Sequence, residues 1–395
     1  MLSFCKKTQN TIYYKAVSQI PEKIWQDLGC AKNLYFSQGY LNALEKNNLN
    51  ITFYYIVLLN DYDKAIAFTS IQIIDFQVHK IQEEAKSFLD VFKKIIFPKE
   101  KSIKILVSGN TFVSGEHGIF IAKNQNKKTA LKELTKAIVT LSNTDENLSK
   151  NISIFMLKDF EKESLKITDE LKELNYFAFK VEPNMQFNIA KNWRNFDDYL
   201  ADLKTKFRVK AKKALQLSKD LKTKEVNLEN IAEQLAKMKS LYEKVAQKAA
   251  FNLEDFNLET YKTLKENLGE NYILKTYYLN DKMVGFLSGI INENALDAHF
   301  VGIDYSLNKE YAIYQKMLYD YIKIGIENKL KTINFGRTAS EIKSSIGAIP
   351  QELTIYIRHK KTLKNKILQL FLQRIAPTAF HQKYPFKSNE NENDK

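Results

Sequence analysis

The spacing of apolar positions predicts strands alternating with amphipathic helices, arranged in two halves of similar layout. Apolar residues at every second position predict a half-buried strand, and apolar residues three and four positions apart predict one face of a helix. In the first half, these patterns predict strands at Ile51–Leu59, Ala65–Asp75, Ile103–Val107, Gly118–Ala122 and Ile152–Leu157, and helices at Leu34–Glu45, Val78–Ile96, Lys128–Ser142 and Glu161–Leu174.

The second half repeats the same succession of elements. Met283–Ile291 is nearly all apolar, as expected of a central strand that is covered on both faces. The predicted strands are Phe177–Asn188, Ile273–Leu279, Met283–Ile291, Ala295–Ile303, Thr332–Phe335 and Glu352–Arg358, and the predicted helices are Asn195–Leu221, Ile231–Lys248, Leu258–Asn267, Tyr311–Glu327, Ala339–Ile346 and Thr362–Ile375.

Each half therefore contains an antiparallel meander followed by β–α–β elements. This order predicts an α+β fold of two domains, each with a mixed, mostly antiparallel sheet flanked by helices. We expect the domains to span 1–176 and 177–387, with a disordered polar tail at 388–395. The chain contains neither a glycine-rich dinucleotide fingerprint nor a Walker sequence.

Composition narrows the class of protein and its partners. The 395 residues are 44% hydrophobic and carry two cysteines, which offer neither a disulfide framework nor a metal cluster, so we expect a reducing, cytoplasmic setting and no metal. No secretory signal and no spanning helix is expected. The net charge of +14 favours anionic partners: nucleotide phosphates, nucleic acid or anionic lipid.

The segment Ile333–Pro350 carries the most concentrated chemistry. A short apolar strand breaks at Gly336 and is followed by Arg337, Glu341 and Lys343 within one turn and helix. An arginine at the carboxyl end of a strand is suited to phosphate or carboxylate, because its planar fork donates two parallel hydrogen bonds. A surface turn with a structural Arg–Glu pair is the alternative interpretation of the same residues.

The order of elements and several motifs resemble the GNAT acyltransferase superfamily in tandem, and more closely its FemAB-like, peptidoglycan-biosynthesis branch. The motifs that carry the resemblance are Phe36–Glu45, Ser108–Gly118, Asn195–Arg208 and Phe335–Pro350. GNAT enzymes usually have a glycine-containing turn that binds the CoA pyrophosphate at a helix N-terminus. The equivalent segment here, Tyr305–Tyr314, contains no glycine.

This resemblance implies transfer of an acyl group to an amine, by direct attack with the help of a general base. The donor expected first is acyl-CoA, and the resemblance places the main catalytic pocket in the second domain. The alternative is an aminoacyl-tRNA-dependent aminoacyltransferase that acts on a cell-wall or lipid precursor, and a third interpretation is a non-catalytic GNAT-fold binding protein. No DNA partner is expected.

Candidate catalytic residues follow from both halves. His299 lies in the predicted strand at the position of the central GNAT strand, and Asp297, two residues earlier, shares its face, so the pair would serve as general base and orienting carboxylate. A core histidine is the alternative interpretation. Glu116 and His117, bracketed by glycines, would be presented by a tight turn or would form an ordinary solvated loop. Glu341 completes this set.

Donor-binding candidates cluster near the same strand. They are Asn308, Tyr311, Tyr314, Gly336, Arg337 and Lys343. The two tyrosines belong to a stripe at helical spacing that also fits a core face. The lysine-rich run from Lys204 to Lys224 is either a solvated surface or a contact for CoA phosphates, tRNA or an anionic membrane. The last helix would pack on its own domain or lie at the inner face of the membrane.

Overall fold

The computed structural model describes residues 6–8, 10–30, 32–77, 102–248, 253–372 and 377–387. Its strands are β1 (Lys6–Thr8), β2 (Thr11–Tyr14), β3 (Thr52–Leu59), β4 (Ala65–Gln77), β5 (Ser102–Ser108), β6 (Ile119–Ile121), β7 (Ile152–Glu161), β8 (Phe177–Asn188), β9 (Lys222–Glu225), β10 (Tyr272–Leu279), β11 (Lys282–Asn292), β12 (Ala295–Ile303), β13 (Thr332–Asn334) and β14 (Ile349–His359). Its helices are α1 (Glu22–Leu28), α2 (Gln38–Asn47), α3 (Lys127–Thr144), α4 (Glu146–Asn151), α5 (Leu165–Thr168), α6 (Phe196–Asp202), α7 (Thr205–Leu217), α8 (Ile231–Ala246), α9 (Thr260–Leu268), α10 (Tyr305–Tyr311), α11 (Ile313–Glu327), α12 (Ser340–Ser345) and α13 (Thr362–Leu372).

Unit 1 comprises Met1–Glu182, Ala250–Asn267 and Glu352–Pro377. Its strands run in the order β1-β2-β3-β4-β5-β7-β14, with β6 also paired to β4. Neighbouring strands are antiparallel except for β5 and β7, which are parallel. Helix α3 is capped by Asn126, whose side chain accepts a hydrogen bond from the Thr129 amide, and the buried residues of the helix contact β3 and β4.

Unit 2 comprises Pro183–Ala249, Leu268–Gln351 and Thr378–Lys395. Its strand order is β8-β13-β12-β11-β10-β9, and β12 and β13 form its parallel pair. Phe187, Leu296 and Ile333 are cross-strand neighbours that are fully buried in the same core as α11. Because side chains alternate along a strand, the residues next to them point to the opposite face of the sheet.

The strand orders of the two units confirm the predicted fold class, which is α+β with mixed, mostly antiparallel strand pairing flanked by helices. The compact units differ from the expected domains in their bounds. Unit 2 begins at Pro183 inside strand β8, and two later segments, Ala250–Asn267 and Glu352–Pro377, are compact with unit 1. The helix predicted at Val78–Ile96 and the tail predicted at 388–395 lie outside the described residues.

The predicted continuous helix Asn195–Leu221 is wrong, because the chain forms α6 and α7 with a break at Leu203 and Lys204. Leu203 is extended and makes an isolated β-bridge with Phe386, and the Lys204 amide donates to the Pro385 carbonyl at 2.8 Å. Pairing with a remote segment therefore overrides a helical pattern that is continuous in the sequence.

Two other helices are also divided or shortened. Tyr311 ends α10 instead of starting the following helix, because Ala312 adopts a left-handed conformation with φ of 47°. In the segment Glu161–Leu174, strand β7 extends to Glu161 and only α5 is α-helical, with 3₁₀ turns on either side. Helix α13 is described as far as Leu372.

Candidate functional site

The two parallel strands of unit 2 stop pairing at Asp297 and Asn334, and we call the place beyond this point the wedge. Residues Ala295–Asp297 of β12 pair with Thr332–Asn334 of β13, where β13 ends, while β12 continues for six more residues. The register of β12 against β11 shifts at His299 and Phe300, which together oppose Ser288. Such a bulge turns a strand away from its neighbour. The gap at the carboxyl ends of parallel strands is where open sheets of this kind bind ligands.

Polar side chains cross the sheet at the closed end of this wedge. Gln186, Asn334 and Asp297 are direct cross-strand neighbours on the face opposite the apolar core. Asn334 donates through Nδ2 to the Asp297 carboxylate at 2.6 Å, and its Oδ1 lies 3.4 Å from Gln186 Nε2 and 3.3 Å from Asn184 Nδ2. We call Asn184, Gln186, Asn334 and Asp297 the polar ladder. Its hydrogen bonds fix the orientation of a buried carboxylate beside the wedge.

His299 lies on the same face as Asp297, as the alternation of the strand predicts. Its Nδ1 lies 3.4 Å from Ser288 Oγ, and Ser288 in turn hydrogen-bonds both the amide and the carbonyl of Phe300 across the bulge. Burial lowers the pKa of His299 to about 3. The imidazole is therefore neutral near pH 7 and a weak proton acceptor in this state.

The turn after β13 places Gly336, Arg337 and Lys343 together, as the sequence predicted. Gly336 has a φ of 75°, and its amide donates to Asn184 of the polar ladder at 3.0 Å. Lys343 is 3% exposed, and its amine donates to the carbonyls of Phe335 at 2.6 Å and Gly336 at 3.2 Å. Burial lowers the pKa of Lys343 to about 7. This lysine ties α12 to the end of β13 and so fixes the turn that carries Arg337.

Glu341 is oriented away from this group. Its carboxylate makes an ion pair with Lys383 at 2.5 Å, and that hydrogen bond lowers the pKa of Glu341. The paired glutamate contributes to the attachment of the segment after Pro377 to α12, and its geometry gives no support for a catalytic role.

The junction of α10 and α11 contains the three predicted donor-binding residues Asn308, Tyr311 and Tyr314. Asn308 accepts a hydrogen bond through Oδ1 from the Tyr314 amide at 2.8 Å. This side chain therefore occupies one of the amides that a phosphate would need at the N-terminus of α11. Tyr311 closes the preceding helix and Tyr314 lies in the first turn of α11.

A basic surface lies beside this junction. Helix α7 packs on α10 and α11 through a face that includes Ala211 and Ala214, which are buried. Its other faces and the segments next to it carry exposed lysines: Lys204, Lys206, Lys210, Lys212, Lys213, Lys219, Lys222 and Lys224. We call these the basic surface of unit 2. Like charges held this close attract polyanions.

Glu116 and His117 lie in unit 1, whereas the other candidates lie in unit 2. The Glu116 carboxylate accepts a hydrogen bond from the Glu161 amide at 2.7 Å, and the His117 ring packs on Tyr35 with 4.0 Å between ring centroids. Both side chains are held within unit 1 by its own residues.

Sequence reasoning missed most of the polar ladder and Ser288. A signal was present, because Asn184, Gln186 and Asn188 alternate along a predicted strand, and Asn334 interrupts an apolar one. Among the described residues, no His, Cys, Asp and Glu side chains are grouped so as to hold a metal ion. No helix in the described ranges combines the length and apolar character needed to cross a membrane.

Comparison of the sequence with protein-family models gives a match over most of the chain. Residues 106–388 match the family model FemAB-like, which is described as peptidoglycan biosynthesis/recognition. The chain belongs to the FemAB-like family. The predicted resemblance is therefore confirmed over most of the chain. A search of curated proteins finds no sequence match to this FemAB-like protein.

Solved structures share its fold at low sequence identity. The crystal structure of FemX is 12% identical with a TM-score of 0.55, covering 90% of this chain and 99% of FemX. A tandem GNAT protein from the clavulanic acid biosynthesis pathway is 6% identical with a TM-score of 0.53, covering 88% of this chain and 98% of that protein. Both likenesses concern the fold, and they agree with the predicted tandem GNAT arrangement.

Proposed function

We propose that this FemAB-like protein is an aminoacyltransferase that moves an amino acid from aminoacyl-tRNA to an amine of a peptidoglycan precursor. Membership of a family described by peptidoglycan biosynthesis/recognition supports the acceptor. In the reaction, the amine attacks the ester carbonyl of the donor, the amide bond forms, the ester C–O bond breaks, and the tRNA hydroxyl leaves with a proton.

The observation that carries the choice of donor is the N-terminus of α11. The Tyr314 amide there already donates to Asn308. In addition, helix α10 directly precedes α11, at the position where GNAT enzymes have a glycine turn whose backbone amides bind a pyrophosphate. The adjacent basic surface of unit 2 suits a polyanion that is longer than CoA, since each additional phosphate contact adds to affinity. Acyl-CoA, the donor expected first from the sequence, is less well supported.

Roles for the site residues follow from their positions. Strand β12 extends past the end of β13, and its backbone there would hydrogen-bond the aminoacyl group as an added strand. Asp297, oriented by Asn334, would accept a hydrogen bond from the attacking amine, and His299, with a pKa of about 3, would be a weak proton acceptor. Arg337 would bind a phosphate of donor or acceptor, on a turn held by Lys343.

A salt-dependence experiment tests the donor. The triple variant Lys206→Ser, Lys210→Ser, Lys213→Ser removes three exposed charges from α7, and Lys123→Ser, Lys166→Ser, Lys262→Ser removes three exposed lysines of unit 1 as a matched control. If tRNA lies on the basic surface, the slope of log binding constant against log salt should fall in magnitude by roughly 2 to 3 in the first variant only.

Product formation decides between the donors. The full-length protein is incubated with a peptidoglycan precursor and either aminoacyl-tRNA or acetyl-CoA, and the precursor is analysed by mass spectrometry. Aminoacylated product from the tRNA supports the proposal. Acetylated product with no tRNA-dependent product, together with equal salt slopes for both triple variants, would instead establish the acyl-CoA interpretation.

A further inference from the structure

A cavity of about 240 Å³ lies within unit 1 and belongs to none of the groups described above for unit 2. Strands β5 and β7 pair in parallel as far as Ser108 and Leu157. Beyond that point β7 continues to pair with β14. Strand β6 pairs with β4 next to the segment of β4 that pairs with β5, and among the described strands it has no other partner. We call the resulting space between β6 and β7 the unit 1 cavity.

The loop 109–118 creates this gap. It leaves the sheet after Ser108 and returns at Gly118, where an added Cβ would lie 2.4 Å from Gly109 Cα, so the two ends of the loop touch. The Gly118 carbonyl accepts hydrogen bonds from Thr69 Oγ1 at 2.9 Å and the Ser70 amide at 3.1 Å. The residues that would have continued the pairing with β7 are thus held out of the sheet.

The loop is firmly attached to unit 1. Asn110 Nδ2 donates to Tyr40 Oη at 2.6 Å, and the Thr111 amide donates to Gln72 Oε1 at 3.0 Å. The cavity is therefore bounded by fixed elements, which is the condition for a pre-formed ligand site.

Charged and apolar groups line separate parts of the cavity. Lys158 is 6% exposed, and its amine contacts the Asp159 carboxylate and donates to the Val113 carbonyl at 3.3 Å. Exposed Lys127, the first residue of α3, and half-buried Glu116 complete the charged lining. The apolar lining includes Phe36, Phe120, Leu131 and Phe160.

The charges indicate which anion fits. The Glu116 carboxylate brings negative charge to the cavity lining, and together with burial it raises the pKa of the neighbouring Glu161. A phosphate dianion would add to that repulsion, whereas a carboxylate carries one charge and is matched by Lys127. An ammonium group on the same ligand would be attracted to Glu116, and an apolar side chain would meet the aromatic walls.

We propose that the unit 1 cavity binds an α-carboxylate ligand of amino-acid size with an apolar side chain, which is either a free amino acid or the C-terminal residue of a peptide. Lys127 provides positive charge for the carboxylate, and Phe120, Phe160 and Leu131 contact the side chain. This site is independent of the proposed transfer reaction, because every residue in it belongs to unit 1 and binding is measured without a donor.

Calorimetric titration and thermal shift of the full-length protein test the proposal. The probes are L- and D-leucine, L- and D-alanine, their N-acetyl derivatives and inorganic phosphate. Lys127→Glu should weaken binding of the preferred probe by about 10-fold or more, as expected for the loss of a charge-assisted hydrogen bond. Glutamate is favourable in the first turn of a helix, so α3 should be retained. The matched control Lys123→Glu reverses an exposed charge outside the cavity.

A second variant, Ile167→Trp, fills the cavity and should abolish binding. If that variant does not fold, the comparison of Lys127→Glu with Lys123→Glu still decides. Binding of free amino acids alone supports the site and assigns an amino acid, and binding of the N-acetyl forms as well supports it and assigns a peptide C-terminus. The proposal is overturned if no amino acid or derivative binds, if Lys127→Glu binds like Lys123→Glu, or if phosphate binds as tightly as the carboxylates.

Discussion

Replacing the buried Lys343 by methionine tests whether its amine is held, largely neutral, at the end of β13. The pKa of this amine falls from 10.5 to about 7 on folding, because burial disfavours its charged form. Between pH 7 and 10.5 the unfolded chain binds a proton that the folded chain does not. The free energy of unfolding should therefore rise with pH by about 1.4 kcal/mol per pH unit in this window, and below pH 7 the full cost of burying the charge is present.

Lys343→Met removes that titration and also the two hydrogen bonds to the carbonyls of Phe335 and Gly336, which together contribute roughly 1–3 kcal/mol. Urea unfolding at pH 7, 8 and 9 gives the difference in unfolding free energy between the natural protein and the variant. That difference should grow by about 2 kcal/mol over the two pH units, because the amine is half protonated at pH 7.

The control for this experiment is Lys331→Met, at an exposed lysine of unit 2. Its difference from the natural protein should stay constant with pH. A Lys343→Met difference that is equally constant would refute the reasoning, since it would mean that the amine of Lys343 is charged in the folded protein throughout this range.

Three further changes test other parts of the structure. His299→Gln removes a group whose pKa is about 3 in the folded protein and 6.5 in the unfolded chain, so below pH 6.5 only the unfolded chain binds its proton. Relative to the variant, the natural protein should lose about 1.4 kcal/mol of stability per pH unit below 6.5, as measured by thermal unfolding from pH 7 to 5. Asn334→Asp places a second carboxylate against Asp297 and should destabilise the folded protein by roughly 2–4 kcal/mol at pH 8, and by less at pH 5, in urea unfolding. Equal losses of stability at both pH values would contradict charge repulsion as the cause. Gly118→Ala brings a Cβ to 2.4 Å from the Gly109 Cα and should cost about 3 kcal/mol or more of stability in the same assay. A loss below about 1 kcal/mol would show that the two ends of the loop 109–118 can move apart.

Elements set by local periodicity could be predicted from the sequence, and elements set by remote contacts could not. Strand β11 was predicted at Met283–Ile291 and is observed at Lys282–Asn292, because a continuous apolar run needs only a sheet covered on both faces. The break at Leu203 depends on pairing with Phe386, which lies 183 positions later in the chain. No local pattern contains that information.

The candidate site shows the same division. The sequence placed Asp297 and His299 on one face and joined Arg337 to Lys343, since both statements concern short stretches of chain. The polar ladder depends on β13 lying between β8 and β12, and the lowered pKa of Lys343 depends on how deeply α12 is packed. Strand order and burial are tertiary properties, so a side chain's charge state cannot be read from its neighbours in the sequence.

The two units build the same topological feature with different consequences for ligand size. Among the described strands, each unit has a parallel pair, β5 with β7 in unit 1 and β12 with β13 in unit 2, and the pairing stops at the carboxyl end of the pair. Between the two strands of each pair the chain forms a helix, α3 in unit 1 and α11 in unit 2. In unit 2 the Asn308 side chain accepts a hydrogen bond from the Tyr314 amide at the N-terminus of α11. Exposed lysines on α7 extend the positive charge over a long surface, which favours a polyanion as the ligand of this unit. In unit 1 the loop 109–118 closes the gap into a small cavity with Lys127 beside it, which favours a compact carboxylate. Under the two proposals, unit 2 would carry the transfer reaction and unit 1 would recognise a smaller molecule, and the loop 109–118 would account for the difference in ligand size.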